Sequence, residues 1–238
     1  MGKSALSDPG ALGTHAPGRA AGNGAAGQVR ILVLVSGSGT NLQALFDAEK
    51  AGRFQSPAGR GVISLVVSDR PGAYALERAR AAGVPALVAA PRTSGAAAGL
   101  SKTEKRRELS DRILERAWAE GIGLIILAGF LSILRGEILA EYAGRIINLH
   151  PALLPKYGGE GMYGDRVHRA VLSTGEAESG CTVHLVDGGA DTGPVLLQKR
   201  VAVLRGDTAE TLAERIRREE HIAIVEGAAI MIERIAKI

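Results

Sequence analysis

The residues Asn148-Leu149-His150 close an apolar run, Ile146–His150, and are followed at once by Pro151. Alternate residues of a strand share a face, so Asn148 and His150 stand together two positions apart. Pro151 stops the strand there, because proline has no N–H to give to the ladder. Open parallel sheets bind ligands beyond the carboxyl ends of their strands, which is the place this pair occupies. An amide NH2 can stabilise an oxyanion, and an imidazole can exchange protons near neutral pH; together they suit acyl-type transfer. Read from the residues alone, Asn148 could equally satisfy local backbone and His150 cap the strand end.

The candidate partner is Asp191, in the loop Asp187-Gly188-Gly189-Ala190-Asp191-Thr192-Gly193-Pro194. Its carboxylate would orient the imidazole and raise its pKa, or it would close an Asx-turn, as aspartates in glycine-rich loops do. No Gly-x-Ser-x-Gly elbow occurs, which favours direct transfer over a covalent enzyme intermediate. His15, His150, His168, His184 and His221 form no HExxH and no Cys/His knuckle, so no metal is expected.

A second candidate site is the turn Gly37-Ser38-Gly39-Thr40-Asn41-Leu42. It starts like a dinucleotide fingerprint, but Leu42 holds the third glycine position and no P-loop lysine follows. What remains is a helix N-terminus whose N–H groups, with the Thr40 and Asn41 side chains, can seat a phosphate. The plainer alternative is a tight strand-to-helix turn with Thr40 or Asn41 as N-cap.

These residues must be held by elements of a recognisable kind. Val29–Val35 reads VRILVLV, a strand buried on both faces, and leads through the glycine turn into a helix over Leu42–Lys50. The pattern continues with a strand at Val62–Val67, a helix at Tyr74–Ala82 closed by Gly83, and a strand at Val84–Val88. After a loose connection at Pro91–Leu100 come a charged amphipathic helix, Lys102–Glu120, a strand, Ile122–Leu127, a helix over Leu131–Tyr142 and the strand Ile146–His150. This alternation predicts an α/β doubly wound, mostly parallel sheet. The rest changes character. A glycine-rich loop at Lys156–Gly161 and a helix at Tyr163–Ser173 precede short strands at Cys181–Val186, Val195–Gln198 and Arg200–Val203, spaced to pair antiparallel. Thr208–Ile235 closes the chain as a helix. We therefore expect one domain over 29–238, with lobes 29–150 and 151–238, after a disordered Gly/Ala-rich leader at 1–28.

The chain has 238 residues, 46% of them hydrophobic, enough for a sizeable core and far from the disordered class. No apolar run reaches membrane-spanning length, so no membrane partner is expected. One cysteine, Cys181, excludes a disulfide framework and fits the cytoplasm. Net charge is only +4, and acidic residues interrupt both basic segments. Eight aromatics, not interleaved with basic runs, offer no stacking platform, so no nucleic-acid partner is expected.

The strings VLVSGSGTNLQAL, LAGFLSIL, IINLHPALLPKY, SGCTVHLVDGGADTGPVLLQ and REEHIAI, in this order from Val29 to the C-terminus, resemble the phosphoribosylglycinamide formyltransferase family of folate-dependent enzymes. The resemblance implies a Rossmann-like formyltransferase fold. It also implies transfer of a formyl group from 10-formyltetrahydrofolate to the amine of glycinamide ribonucleotide, in purine synthesis and without a metal. It implies Asn148, His150 and Asp191 as the catalytic trio, with Gly39, Thr40 and Asn41 at the substrate phosphate and Glu220 near the substrate amine. Leu131, Ser132, Ile133 and Leu134, with Asn148 and Asp187, Gly188, Gly189, Ala190 and Asp191, would line the pterin pocket. Lys102 stands where the family has a ligand-binding Arg, and loses that residue's bidentate geometry. The loop Lys156–Val167 is longer than the shortest family versions, and His168 and His184 are read as structural supports.

Two further readings remain open. A formyltetrahydrofolate deformylase or a tRNA formyltransferase shares the Asn-x-His…Asp arrangement but would carry an extra N-terminal or basic C-terminal domain, for which this chain offers no segment. A non-catalytic nucleotide-binding module would keep the glycine turn without Asn148, His150 and Asp191 converging. A monomer or homodimer is expected.

Overall fold

The computed structural model describes residues 27–90 and 99–238. The expected leader lies almost wholly outside the described residues, as does most of the connection Pro91–Leu100.

The most apolar segment forms the centre. Strand β1 (Gln28–Val35) pairs in parallel with β3 (Gly59–Ser68) on one side and β5 (Leu124–Leu127) on the other. Its alternate residues feed two separate cores. Val29, Ile31, Val33 and Val35 meet α1 (Thr40–Lys50) and the long closing helix α6 (Ala209–Ala236). Leu32 and Leu34 meet α3 (Lys102–Ala119) and α4 (Glu137–Glu141). From Ile31 to Val35 the strand is covered on both faces and wholly apolar, while Arg30, nearer its start, is half-buried and pairs with Glu120.

Outside β3 lie β2 (Gln55–Ser56), antiparallel, and β4 (Ala86–Val88), parallel, with α2 (Ala75–Ala81) between β3 and β4 in the chain. On the other side β5 pairs in parallel with β6 (Ile146–His150). From there the sheet continues antiparallel through β7 (Glu178–Leu185) and β8 (Val195–Ala202), giving the order β2-β3-β1-β5-β6-β7-β8. Helix α5 (Asp165–Ser173) connects β6 to β7 and packs on α6. The expected α/β class, parallel at the centre and antiparallel toward the C-terminus, is the observed one.

Three local expectations are corrected. The helix read over Leu131–Tyr142 forms only at Glu137–Glu141. Arg135 N donates to Ser110 Oγ at 2.9 Å instead of to a carbonyl one turn back, and Gly136, at φ 81 and ψ −147, breaks any helix begun earlier; Leu131 N is held by Ser36 Oγ at 2.8 Å. The two short strands Val195–Gln198 and Arg200–Val203 are one, because Lys199 continues the ladder opposite Cys181. The two-residue β2 was not anticipated, being too short to carry a period.

Tyr142, fully buried after α4, ties this layer to the start of β5 through a hydrogen bond from its hydroxyl to Ile122 O at 3.1 Å. Burial pushes the phenol up to about 12, so it remains a neutral donor at any physiological pH. Tyr142→Phe should leave the fold intact and lower stability by about 1 kcal/mol, the net contribution of one such bond, seen as a lower urea midpoint at unchanged slope.

Candidate active site

The carboxyl ends of β1, β3, β5 and β6 open on one side of the sheet, and there lies a cavity of about 670 Å3. Asn41, Arg70, Gly129–Leu134, Asn148, His150, Asp191, Arg217 and Glu220 are among its lining residues. That volume is in the range that holds a cofactor-sized ligand.

Asn148, His150 and Asp191 meet at its floor. His150 Nδ1 lies 3.3 Å from Asp191 Oδ2, and Asn148 Nδ2 donates to Asp191 Oδ1 at 3.3 Å. Asp191 adopts φ 57, which turns its carboxylate inward from the β7–β8 loop. The Asx-turn foreseen as its alternative role belongs to Asp187: its Oδ1 accepts from Gly189 N at 2.9 Å and from Thr192 Oγ1 at 2.6 Å. A non-catalytic module had no reason to converge these three side chains.

Sequence reasoning placed His184 outside this group, and the fold brings it in. β6 and β7 pair with Asn148 directly opposite His184, so His184 Nε2 sits 3.1 Å from Asn148 Nδ2 and 3.4 Å from Asp191 Oδ1. Its other nitrogen, Nδ1, faces Leu185 O at 2.8 Å, which fixes the ring. Only the register of an antiparallel pair carries this signal, and register is not written in either strand by itself.

His150 is nearly sealed from solvent, and both ring nitrogens face oxygens: Nδ1 the Asp191 carboxylate, Nε2 the Tyr157 carbonyl at 2.7 Å. Burial pushes its pKa below the usual histidine value. The Asp191 charge and the Tyr157 carbonyl pull the other way by favouring the cation, and His184 opposes them. The ring is thus easily deprotonated yet placed where a proton, once taken, is well received. Burial of Asp191 acts to raise its pKa, but the hydrogen bond from His184, the His150 charge and the Gly159 N–H hold it below the ordinary value, so it is ionised at neutral pH.

At the other end Gly39 is the N-cap of α1, with φ 74 and no side-chain cap; neither Thr40 nor Asn41 caps. A Cβ on Gly39 would stand 2.6 Å from that of Ala75, so glycine is needed both for the turn and for the approach of α2. The first turn of α1 holds no acidic residue, which leaves its N-terminus electropositive toward an anion. Asn41 lines the cavity and donates from Nδ2 to Glu220 Oε2 at 3.4 Å, while its buried Oδ1 has no hydrogen-bond partner among the described residues. Gly39 and Thr40 lie beside the cavity rather than among its lining residues.

Leu131, Ser132, Ile133 and Leu134 line the cavity opposite the β7–β8 loop, of which Asp187, Gly189, Ala190 and Asp191 also line it. Gly188 does not, and its carbonyl instead accepts from Arg135 Nη1 at 2.7 Å. Lys102 lines the mouth and pairs with Glu160 at 3.0 Å; Arg106, unforeseen from the sequence, pairs with the same carboxylate at 2.8 Å. Hydrogen bonds from Arg106 and Lys102 hold the Glu160 carboxyl down at about 2. Among the described residues no group of three or more His, Cys, Asp or Glu is arranged to hold a metal ion, and no helix is long and apolar enough to cross a membrane.

Residues 29–228 match the formyl transferase family, and the chain belongs to it: a transferase enzyme whose chemistry is the transfer of a formyl group. The chain is similar to phosphoribosylglycinamide formyltransferase of Escherichia coli, 39% identical over 193 residues that make up 81% of this chain and 82% of the relative. A crystal structure of glycinamide ribonucleotide transformylase 1 from Symbiobacterium toebii is 42% identical, with a TM-score of 0.74 over 87% of this chain and 89% of that one. It also resembles the trifunctional purine biosynthetic protein adenosine-3 of Drosophila melanogaster, 39% identical over 213 residues, of which it spans only 14%.

Glu220 supplies a test of the site's electrostatics. Burial pushes its pKa up from 4.5, against the Asn41 amide and the Arg217 charge. A carboxyl raised in the folded state favours folding most below its unfolded pKa, and that advantage is lost as pH rises through the folded pKa. Glu220→Gln is neutral at every pH, so it should be more stable to urea than the parent at about pH 8, with the gap closing toward about pH 4. Parallel stability profiles would contradict the burial argument.

Proposed function

We propose that the protein transfers the formyl group of 10-formyltetrahydrofolate to the primary amine of glycinamide ribonucleotide, giving formylglycinamide ribonucleotide and tetrahydrofolate in purine biosynthesis. The observation that carries this reading is the meeting of Asn148, His150 and Asp191 at the floor of the cavity, an amide donor and a buried imidazole–carboxylate pair side by side. The names borne by the Escherichia coli and Symbiobacterium toebii proteins support the choice of substrates.

The ribonucleotide phosphate would sit at the N-terminus of α1, against the N–H groups of Gly39, Thr40 and Asn41. Its amine would then lie near Glu220, on the far side of Asn41. The folate pterin would occupy the space between Leu131–Leu134 and Asp187–Asp191, where backbone N–H and C=O groups can read the edge of the ring. Lys102 would face the anionic end of the co-substrate. The amine nitrogen attacks the formyl carbon, and the C=O electron pair moves onto oxygen. Asn148 stabilises that oxyanion through its amide N–H, and His150 adds its charge once the ring has become a cation. The attacking nitrogen gives up a proton to His150, whose cation Asp191 stabilises; the C–N10 bond breaks as the oxyanion collapses, and the proton passes to N10 so that the folate leaves neutral. No metal enters these steps.

The formyltransferase unit is proposed to span 29–238, with 29–150 supplying the phosphate seat and 151–238 completing the folate and catalytic side. Cytoplasmic work as a monomer or homodimer, without nucleic acid, is the setting that the single cysteine and the weak net charge support.

The test is a spectroscopic assay of purified protein with 10-formyltetrahydrofolate, with and without glycinamide ribonucleotide. Formyl consumption should require the ribonucleotide, fall by about 100-fold or more in His150→Ala, and fall comparably in Asp191→Asn. Consumption at an equal rate with water alone would make the protein a deformylase instead. A near-normal rate in Asp191→Asn would remove the carboxylate from the mechanism.

A further inference from the structure

The segment after β6 does more than connect. Tyr157 O accepts from His150 Nε2, and two residues on Gly159 N donates to Asp191 Oδ2 at 3.1 Å. Between them a Cβ on Gly158 would lie 3.2 Å from that of Asp191 and 2.6 Å from Leu154 Cδ2, so the backbone there is packed closely against the Asp191 and Leu154 side chains. One short segment thus grips both members of the imidazole–carboxylate pair.

That grip depends on an unfavoured backbone. Tyr157 has φ 58, a left-handed conformation that costs an ordinary residue roughly 1–2 kcal/mol and persists only where the surroundings enforce it. The enforcement lies outside the cavity. The Tyr157 hydroxyl donates to Glu176 Oε1 at 3.0 Å and shares a further hydrogen bond with Thr174 Oγ1. Thr174 Oγ1 in turn bonds the carbonyls of Ala170 and Val171 at the end of α5, and Glu176 is also paired with Lys156 at 2.8 Å. The following strands hold the segment's start: Leu154 N donates to Thr182 Oγ1 at 3.1 Å and Gln198 Nε2 donates to Leu154 O at 2.9 Å.

We propose that Tyr157 is a positioning residue for formyl transfer: its phenol, latched to Glu176 and Thr174, holds its own backbone so that its carbonyl aims and restrains the His150 ring opposite Asp191. This rests on the transfer reading above for its catalytic meaning, but the geometry stands without it. His150 is faced by Asp191 from the β7–β8 loop, by His184 from β7 and, at longer range, by His168 from α5; Tyr157 adds the one neutral acceptor. Losing a carbonyl that favours the cation lowers a histidine pKa, whereas none of the three titratable neighbours is touched by a change at the hydroxyl.

The experiment is a titration of the His150 ring by nuclear magnetic resonance in the ligand-free protein, beside kcat and KM, for Tyr157→Phe, Glu176→Ala and Glu176→Gln. Tyr157→Phe and Glu176→Ala should move the His150 pKa down by roughly half a unit or more. Their kcat should fall roughly fivefold to tenfold, the factor one net hydrogen bond is worth, with both KM values within twofold. Glu176→Gln removes the charge but keeps an oxygen for the phenol, so it should retain the parent titration and rate. A His150 titration unchanged in Tyr157→Phe overturns the proposal, and so does a lost rate without a moved titration, which would leave only a packing role. A parent protein with no transferase activity would defeat the transfer reading, while the titrations would still decide whether Tyr157 restrains the ring.

Discussion

A carboxylate taken largely out of water must be met by donors, or it takes up a proton and stops being a charge. Asp191 is in that position, its side chain 15% exposed. Its Oδ1 is approached by the Asn148 amide and His184, its Oδ2 by His150 and the Gly159 N–H. These four groups come from three separate places in the chain, β6, β7 and the segment after β6. The site is therefore a consequence of how those places are brought together, and the architecture can be understood as the means of supplying one ion with its partners.

The switch from parallel to antiparallel pairing at β6 is the step that makes this possible. On its parallel side β6 is locked to β5, and through it to β1, with the two cores fixing its height in the sheet. On its antiparallel side it meets β7 running back, which sets His184 opposite Asn148; β7 ends beside Ile147 and Ile146, and the β7–β8 loop that follows brings Asp191 back against Asn148 and His150. The hairpin to β8 keeps Asp191 within a few residues of the strand that carries His184.

Much of this was legible in the sequence. β6 was read at its observed bounds because Pro151 is an unambiguous stop, and Asn148 with His150 followed from period two alone. The role of Asp191 was legible only as one of two possibilities, since a glycine-rich loop suits an Asx-turn equally well; Asp187 makes that turn with Gly189 and Thr192 of the same loop, and Asp191 meets Asn148 and His150 of β6. What escaped was of a different kind. His184 is fixed by register across a pair, Arg106 and Arg217 by the direction of helix faces relative to a cavity, and the path of Leu131–Arg135 by hydrogen bonds to Ser36 and Ser110 from far along the chain. Local pattern cannot report a hydrogen-bond partner that is 95 residues away.

The cavity is also chemically graded from end to end, and the gradient bears on selectivity. At the mouth stand Lys102 and Arg106, at the floor the ionised Asp191 beside a buried imidazole, and beyond Asn41 the half-buried Glu220 with Arg217. An amine nucleophile reacts only as the free base, so a site for amine transfer must bind the nitrogen without locking on its proton. A carboxyl whose burial raises its pKa is suited to this. It can accept a hydrogen bond from an amine, yet its charge is disfavoured enough that it does not stabilise an ammonium as strongly as an exposed carboxylate would. Asp191, ionised and set against two histidines, differs in this respect, and under the proposed mechanism it would stabilise the imidazole instead. The two carboxyl groups share one cavity and differ in ionisation because one is surrounded by donors and the other by little more than an amide and a guanidinium, a separation of roles set by environment rather than by residue type.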